Sequence, residues 1–339
     1  MTATDRSDTE EAGAGQREGR SAIAWLRRLR RRQSTLSTMI PLVILWIVLT
    51  IASPNFLTFD NAVNVLLNAA PLALIAGGMT LALIAAEIDL SVGSVVALIG
   101  SVSALLAVRY HVPSGLVLLS AVVVGVLVGV VNGFFTTKLG MPSFVATLAM
   151  LGIARGVALL VTGGRSIYGL PGAIDVIGQG EIGIIPIPII IAAVILALLH
   201  FVLTRTKFGL NVYAVGGNPE AARLSGVNVP GTKLAVLILS ALLASLAGVI
   251  LAARLDAGSG TVGEDLLLDS IAAVVIGGTS LLGGVGRITG TVLGVLLIAS
   301  IRNGLVLLNV SAFWQQVAIG ALILLAVSVD YLAKGRPKS

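Results

Sequence analysis

The chain has 339 residues, 56% of them hydrophobic and 11% charged, with a mean hydropathy of +1.02. Less than half the charge of an ordinary soluble domain (about 25%) excludes a water-soluble globular fold and leaves an all-α integral membrane protein. The net charge of +6 gathers at Arg27, Arg28, Arg30, Arg31 and Arg32, with no basic domain carrying interleaved aromatics, which argues against a nucleic-acid partner; the absence of cysteine removes disulfides, thiol nucleophiles and thiolate-bound metals.

Residues 1–36 mix Asp, Glu, Gly, Ser and Arg and read as a disordered basic tail. Its Arg cluster sits where a cytoplasmic anchor belongs. The tail is long for the first region of a signal peptide, and no small-x-small cleavage site follows Met39–Ile51, so that stretch counts as the first span. Apolar windows then fall at 37–53, 63–86, 92–108, 115–135, 142–162, 184–204, 232–253, 267–282, 288–308 and 313–332. They predict about ten transmembrane helices in one membrane domain, 37–332, followed by a short tail, 333–339. Windows 92–108 and 267–282 fall short of the roughly 20 residues of a straight crossing and suit half-helices or re-entrant segments. With the N-terminus inside, most of the 22 Lys and Arg residues fall on the inner side, among them Lys138, Arg205, Lys207, Arg223, Lys233 and Arg287. Both termini are therefore expected in the cytoplasm.

Between the second and third windows lies Ile88-Asp89-Leu90-Ser91-Val92-Gly93-Ser94, a carboxylate, two hydroxyls and a glycine between long uncharged stretches. Polar groups in lipid must find partners. Asp89 or Ser91 is suited to cap the next helix; alternatively the two face a path for a polar solute, or bond to a neighbouring helix and set its angle. Asn64, Asn68, Asn132 and Asn303 offer neutral donors and acceptors to a hydroxyl-bearing solute or to neighbouring helices. Arg155 lies about 20 Å along its window and needs a partner, for which a carboxylate is favoured over a solute. The pairs Asp89-Leu90 with Asn132-Gly133, and Asp265-Leu266 with Asn303-Gly304, form a faint internal echo of the kind inverted repeats leave. His111 and His200 are isolated, so no metal site is expected, and no catalytic constellation is present.

The loop at 205–231 is the largest expected on the inner side. Within it, Asn218-Pro219-Glu220-Ala221-Ala222-Arg223-Leu224-Ser225-Gly226 specifies both ends of a short helix. Asn218 is a cap, Pro219 suits the first helical position, Glu220 complements the dipole, and Gly226 supplies a left-handed stop. The pattern serves either a plain surface connection or a knob for a partner's groove.

Several segments together resemble the ribose-type permeases, the membrane subunits of monosaccharide ABC importers. The string from Ile88 to Ser94 looks like that family's signature. Ile153-Ala154-Arg155-Gly156, Leu159 to Gly164, Val215 to Ala222, Ala272 to Ser280 and Gly283-Gly284-Val285-Gly286 are similar to further family segments. Glu220-Ala221-Ala222 followed by Gly226 resembles the start of the ATPase-contacting loop of bacterial ABC permeases, although the later Ile-x-Leu-Pro is missing. Family members often carry Gly-Gly where this chain has Ala86-Glu87, which puts the local environment there in doubt.

The resemblance runs from about Pro41 to Asp330. It implies a transport subunit and not an enzyme, in a bacterial inner membrane. A separate cytoplasmic ATPase would bind ATP and magnesium; this chain lacks a Gly-x-x-x-x-Gly-Lys-Ser/Thr loop and binds no cofactor of its own. An extracytoplasmic binding protein would deliver the sugar, and a second permease copy or a paralogue, set among membrane lipids, would complete the path. Asn218, Pro219, Glu220, Ala221, Ala222, Arg223, Ser225 and Gly226 would couple to the ATPase. Asp89, Ser91, Gly93, Ser94, Asn132, Arg155 and Asn303 are the signature and path candidates. Two alternatives stand beside this: related ABC cargo (branched-chain amino acids, nucleosides or a furanone signal), and an ion-coupled secondary transporter using Glu87 and Asp89.

Overall fold

A computed structural model describes residues 39–333; the tail at 1–36 and residues 334–339 lie outside the described residues. The chain is α-helical, and the strands among the described residues are two-residue pairings in connections. In order, the helices are α1 (Met39–Ala52), α2 (Phe59–Ile84), α3 (Val92–Ala104, continued by a π-helical turn at Leu105–Arg109), α4 (Ser114–Thr137) and α5 (Ser143–Thr162). After the short α6 (Gly172–Gln179) come α7 (Ile187–Arg205), α8 (Lys207–Gly217), α9 (Pro219–Leu224) and α10 (Val229–Arg254). The last are α11 (Glu264–Ile276), α12 (Ile288–Leu307) and α13 (Ala312–Ala333). Among the described residues, seven helices are long and apolar enough to cross a membrane: α2, α3 with its π turn, α4, α5, α7, α10 and α12.

Local chemistry sets the ends. Thr58 caps α2 by accepting from the Asn61 amide, and Asn228 caps α10 by accepting from Gly231. Gly163 closes α5 in the left-handed conformation. The expected window 267–282 is shifted: the helix occupies Glu264–Ile276 and stops at Gly277-Gly278. Hydropathy misses it because Glu264 and Asp265 form the first turn, where carboxylates complement the helix dipole. The largest connection, between α5 and α7, is structured, with Ile167-Tyr168 pairing antiparallel to Ala257-Gly258 beyond α10.

Helices α2 and α10 form the centre, with α10 packed on α4, α2 and α3. Gly125, Gly129 and Gly133, four residues apart on α4, lie directly against Ser245, Ile238 and Leu234 of α10. This small-residue face brings the two backbones together, as membrane helices require where hydrophobicity alone gives no preference for protein over lipid. The N-terminal ends of α3 and α11 also meet: Gly93 lies against the carbonyl of Gly263, and Gly263, at φ +87°, against the carbonyl of Gly93. Both helices are thirteen residues long.

Candidate functional site

The turn between α2 and α3 is pinned from several sides. The amide of Ile88 donates to Ser143 Oγ and that of Leu90 to Thr147 Oγ1, both at 3.0 Å, so the first turns of α5 hold its backbone. Asp89 is fully buried. Its Oδ1 accepts from the Ser91 amide (3.0 Å) and Ser91 Oγ (2.6 Å), and its Oδ2 accepts from Ser240 Oγ of α10 at 2.8 Å. Asn132 of α4 donates to Ser91 Oγ at 3.0 Å. One carboxylate thus ties the start of α3 to α4 and α10.

This corrects the capping expectation. Ser91 is the residue before α3, yet no side chain caps that helix. Asp89 bonds only two residues ahead and otherwise across to α10, so it sets the packing of helices. Asp89, Ser91, Ser94 and Asn132 are all buried, as is Gly93. Asp89, Ser91, Asn132 and Ser240 form a hydrogen-bonded knot between helices, whereas Ser94 Oγ makes no hydrogen bond among the described residues and Gly93 packs against Gly263. The neighbouring Glu87, 3% exposed, forms an ion pair with Lys233 at the start of α10.

Arg155 pairs with Glu264 Oε1 at 3.4 Å and donates to the carbonyl of Gly260, joining α5 to the segment that leads into α11. Asn303 exchanges hydrogen bonds with Asn61 at 3.0 and 2.7 Å. It also lines a cavity of about 580 Å³ bounded by α2, the end of α10, α11, α12 and Gln315. Inside it Arg302 grips Asp269 with two bonds, Nε to Oδ2 at 2.7 Å and Nη2 to Oδ1 at 2.9 Å. Arg254 donates to Asn68 Oδ1 at 3.1 Å, and Gln316 donates to Asp265 Oδ1 at 3.1 Å beside the same wall. Its walls combine paired charges with amides, a chemistry suited to a neutral molecule rich in hydroxyls.

The sequence signal flagged Asn68 and Asn303 at this cavity but missed Asp269 and Arg302 there, and Ser240 beside Asp89. Asp269 stands one helical turn after Asp265, and Arg302 immediately precedes Asn303. An ionisable residue inside an apolar window was the available sign. The echoed pairs differ in geometry. Asn132 reaches Asp89 through Ser91, whereas Asn303 bonds Asn61.

In the 205–231 segment, Asn218 Oδ1 accepts from the Ala221 amide at 3.0 Å and Pro219 opens α9. Ser225 ends the helix and Gly226 follows at φ +81°. Glu220 and Arg223 pair at 2.6 Å on the outer face, which raises the Arg223 pKa above its ordinary value. Ala222 turns inward, while Leu224 is 76% exposed. Just before this knob, Gly216 is buried against the carbonyl of Ile84 and the amide of Gly284, leaving no room for a Cβ. The Gly284 amide in turn donates to the Ile84 carbonyl at 2.9 Å. Helix α8, which leads into the exposed helix, is therefore seated on the end of α2, next to the pinned turn.

Known proteins resemble the chain over most of its length. The family model described as branched-chain amino acid transport system / permease component matches residues 61–327. The ribose import permease protein RbsC of Haemophilus influenzae is 40% identical, over 86% of this chain and 92% of that protein. RbsC of Escherichia coli strain K12 is 41% identical over the same shares. The xylose transport system permease protein XylH of the same strain is 36% identical, over 83% of this chain and 87% of its own. No solved structure matches the chain.

Proposed function

Because the chain belongs to the branched-chain amino acid transport system / permease component family, we propose that it is the membrane permease subunit of an ABC importer for a monosaccharide. The observation that carries this reading is its identity of 36–41% with ribose and xylose permeases over almost their whole length. It is a transport subunit of a bacterial inner membrane, and hydrolysis of ATP belongs to a separate subunit that binds ATP and magnesium. The family's own description names branched-chain amino acids, but relatives matched end to end are sugar permeases.

Ten crossings, with α1, α11 and α13 added to the seven long helices, put both termini in the cytoplasm. The 205–231 segment then faces the ATPase and the 580 Å³ cavity opens toward the outside. Asn218, Pro219, Glu220, Ala221, Ala222, Arg223, Ser225 and Gly226 form the coupling knob. The knot of Asp89, Ser91 and Asn132 passes its movement to α10 and α4. A binding protein delivers the sugar above the cavity, and a second permease copy or a paralogue completes the path.

The test is uptake by vesicles holding the permease, its ATPase and its binding protein. Ribose or xylose should accumulate with ATP and stop when the ATPase is left out. Accumulation without the ATPase, driven by an ion gradient, or uptake of leucine in place of sugar, would refute the assignment.

A further inference from the structure

Helices α2, α7 and α12 enclose an apolar groove of about 420 Å³ whose walls include Ala69, Ala73, Ala193, Ala197, Val292 and Leu296. It runs along α7 from Ile189 to His200, roughly 17 Å at 1.5 Å per residue. That is about the depth of one leaflet, half of the ~30 Å hydrocarbon core. At one end it meets a polar cleft of about 760 Å³, with which it shares His200, Ile288 and Thr289. The cleft is lined by Arg205, Thr204, Thr206 and Arg287, with Tyr213 of α8 and the Gly284–Gly286 loop closing its far wall. Tyr213 Oη donates to the Gly286 carbonyl at 2.8 Å, joining α8 to the loop before α12.

An apolar slot one leaflet deep, polar and cationic at one end only, has the chemistry of an amphiphile with an anionic head. A sugar would find almost no hydrogen-bonding group along the slot. A soluble anion would leave the slot empty. Basic pockets between membrane helices on the cytoplasmic side hold lipid headgroups in this manner. We infer that this composite groove is a binding site for an anionic phospholipid, its acyl chain along α7 and its phosphate at Arg205 and Arg287. The site is independent of the sugar carried. On the orientation above its polar end, at Arg205 where α7 ends, is on the cytoplasmic side. The headgroup sits between α8, which carries the exposed knob, and the loop before α12, so the lipid braces the seat of the coupling helix.

The test uses the assembled transporter in nanodiscs and native mass spectrometry of the lipid it retains. Phosphatidylglycerol should be kept in preference to phosphatidylcholine. Arg205→Gln should lower its retention about five-fold, the equivalent of ~1 kcal/mol per basic side chain near a headgroup. Ala197→Phe should block the slot and displace the lipid, while Val194→Phe, on an exposed part of α7 outside the groove, should leave it. Equal retention of the two lipids, or unchanged retention in Arg205→Gln, overturns the site. So does loss of the second permease copy in Ala197→Phe with lipid unaltered, which would make the groove a protein interface. Because Arg205 is exposed, its variant keeps the test decisive should Ala197→Phe fail to fold.

Discussion

The Glu87 carboxylate lies 2.5 Å from the Lys233 ammonium, and the two are unequally exposed: the Glu87 side chain is 4% accessible and that of Lys233 26%. The pair joins the pinned turn before α3 to the first turn and a half of α10, directly after the exposed knob of the 205–231 segment. Any displacement of the start of α10 therefore pulls on the same turn that Asp89 anchors.

Removing one member of a buried pair leaves the other uncompensated, at a typical cost of about 3–5 kcal/mol. The asymmetry of exposure makes the two single variants unequal. Lys233→Met strands the carboxylate away from water and should lower the unfolding midpoint most. Glu87→Gln leaves a lysine that can reach solvent and should be milder. The double variant should recover much of the loss. Thermal unfolding of the detergent-solubilised protein measures all three, and equal midpoints for the two single variants would contradict the account.

The fork between Arg302 and Asp269 should govern transport more than folding of the cytoplasmic side. Asp269→Asn removes a charge-assisted bond worth about 1.5–3 kcal/mol and should reduce sugar uptake by roughly ten-fold or more. Arg302→Lys keeps the charge but loses the planar fork, so it should also impair uptake. Binding of the ATPase subunit should be unchanged in both. Uptake assays beside a pull-down of the ATPase separate the two effects.

Asn218 caps α9 through its side chain, and replacing such a cap by alanine costs about 1 kcal/mol. Asn218→Ala should loosen the exposed knob and weaken the stimulation of hydrolysis by delivered sugar. Asn218→Asp, an equally good cap, should retain it. The ratio of sugar transported to ATP hydrolysed is the measurement.

Adjacent glycines give an internal control. Gly216 is packed on the Ile84 carbonyl and the Gly284 amide, whereas a Cβ at Gly217 meets nothing within 4 Å. Gly216→Ala must push α8 off the end of α2 and should disrupt assembly with the ATPase. Gly217→Ala should be tolerated. Co-purification yield of the complex distinguishes them.

Much of this protein was legible locally. The capped helix at 219–224 follows from side chains within three residues of each end, and Asn218, Pro219 and Gly226 stand where that chemistry requires. The apolar windows found the helices because a spanning helix satisfies its own backbone and needs only an apolar surface. They misplaced the start of α11, whose first turn is acidic.

The sequence by itself determined the membrane class, the run of helices, the exposed helix and the family, all written in composition, spacing and short contiguous strings. Only the tertiary structure decided what the polar residues do. Asp89 is an anchor because Ser240 approaches it from a helix 151 positions away. Asn303 faces a cavity because α12, which also carries Arg302, lies beside Asp269 of α11. Whether a buried carboxylate caps, pairs or lines a path depends on which helix face comes within about 3 Å, and such proximity across the fold is not encoded in local periodicity.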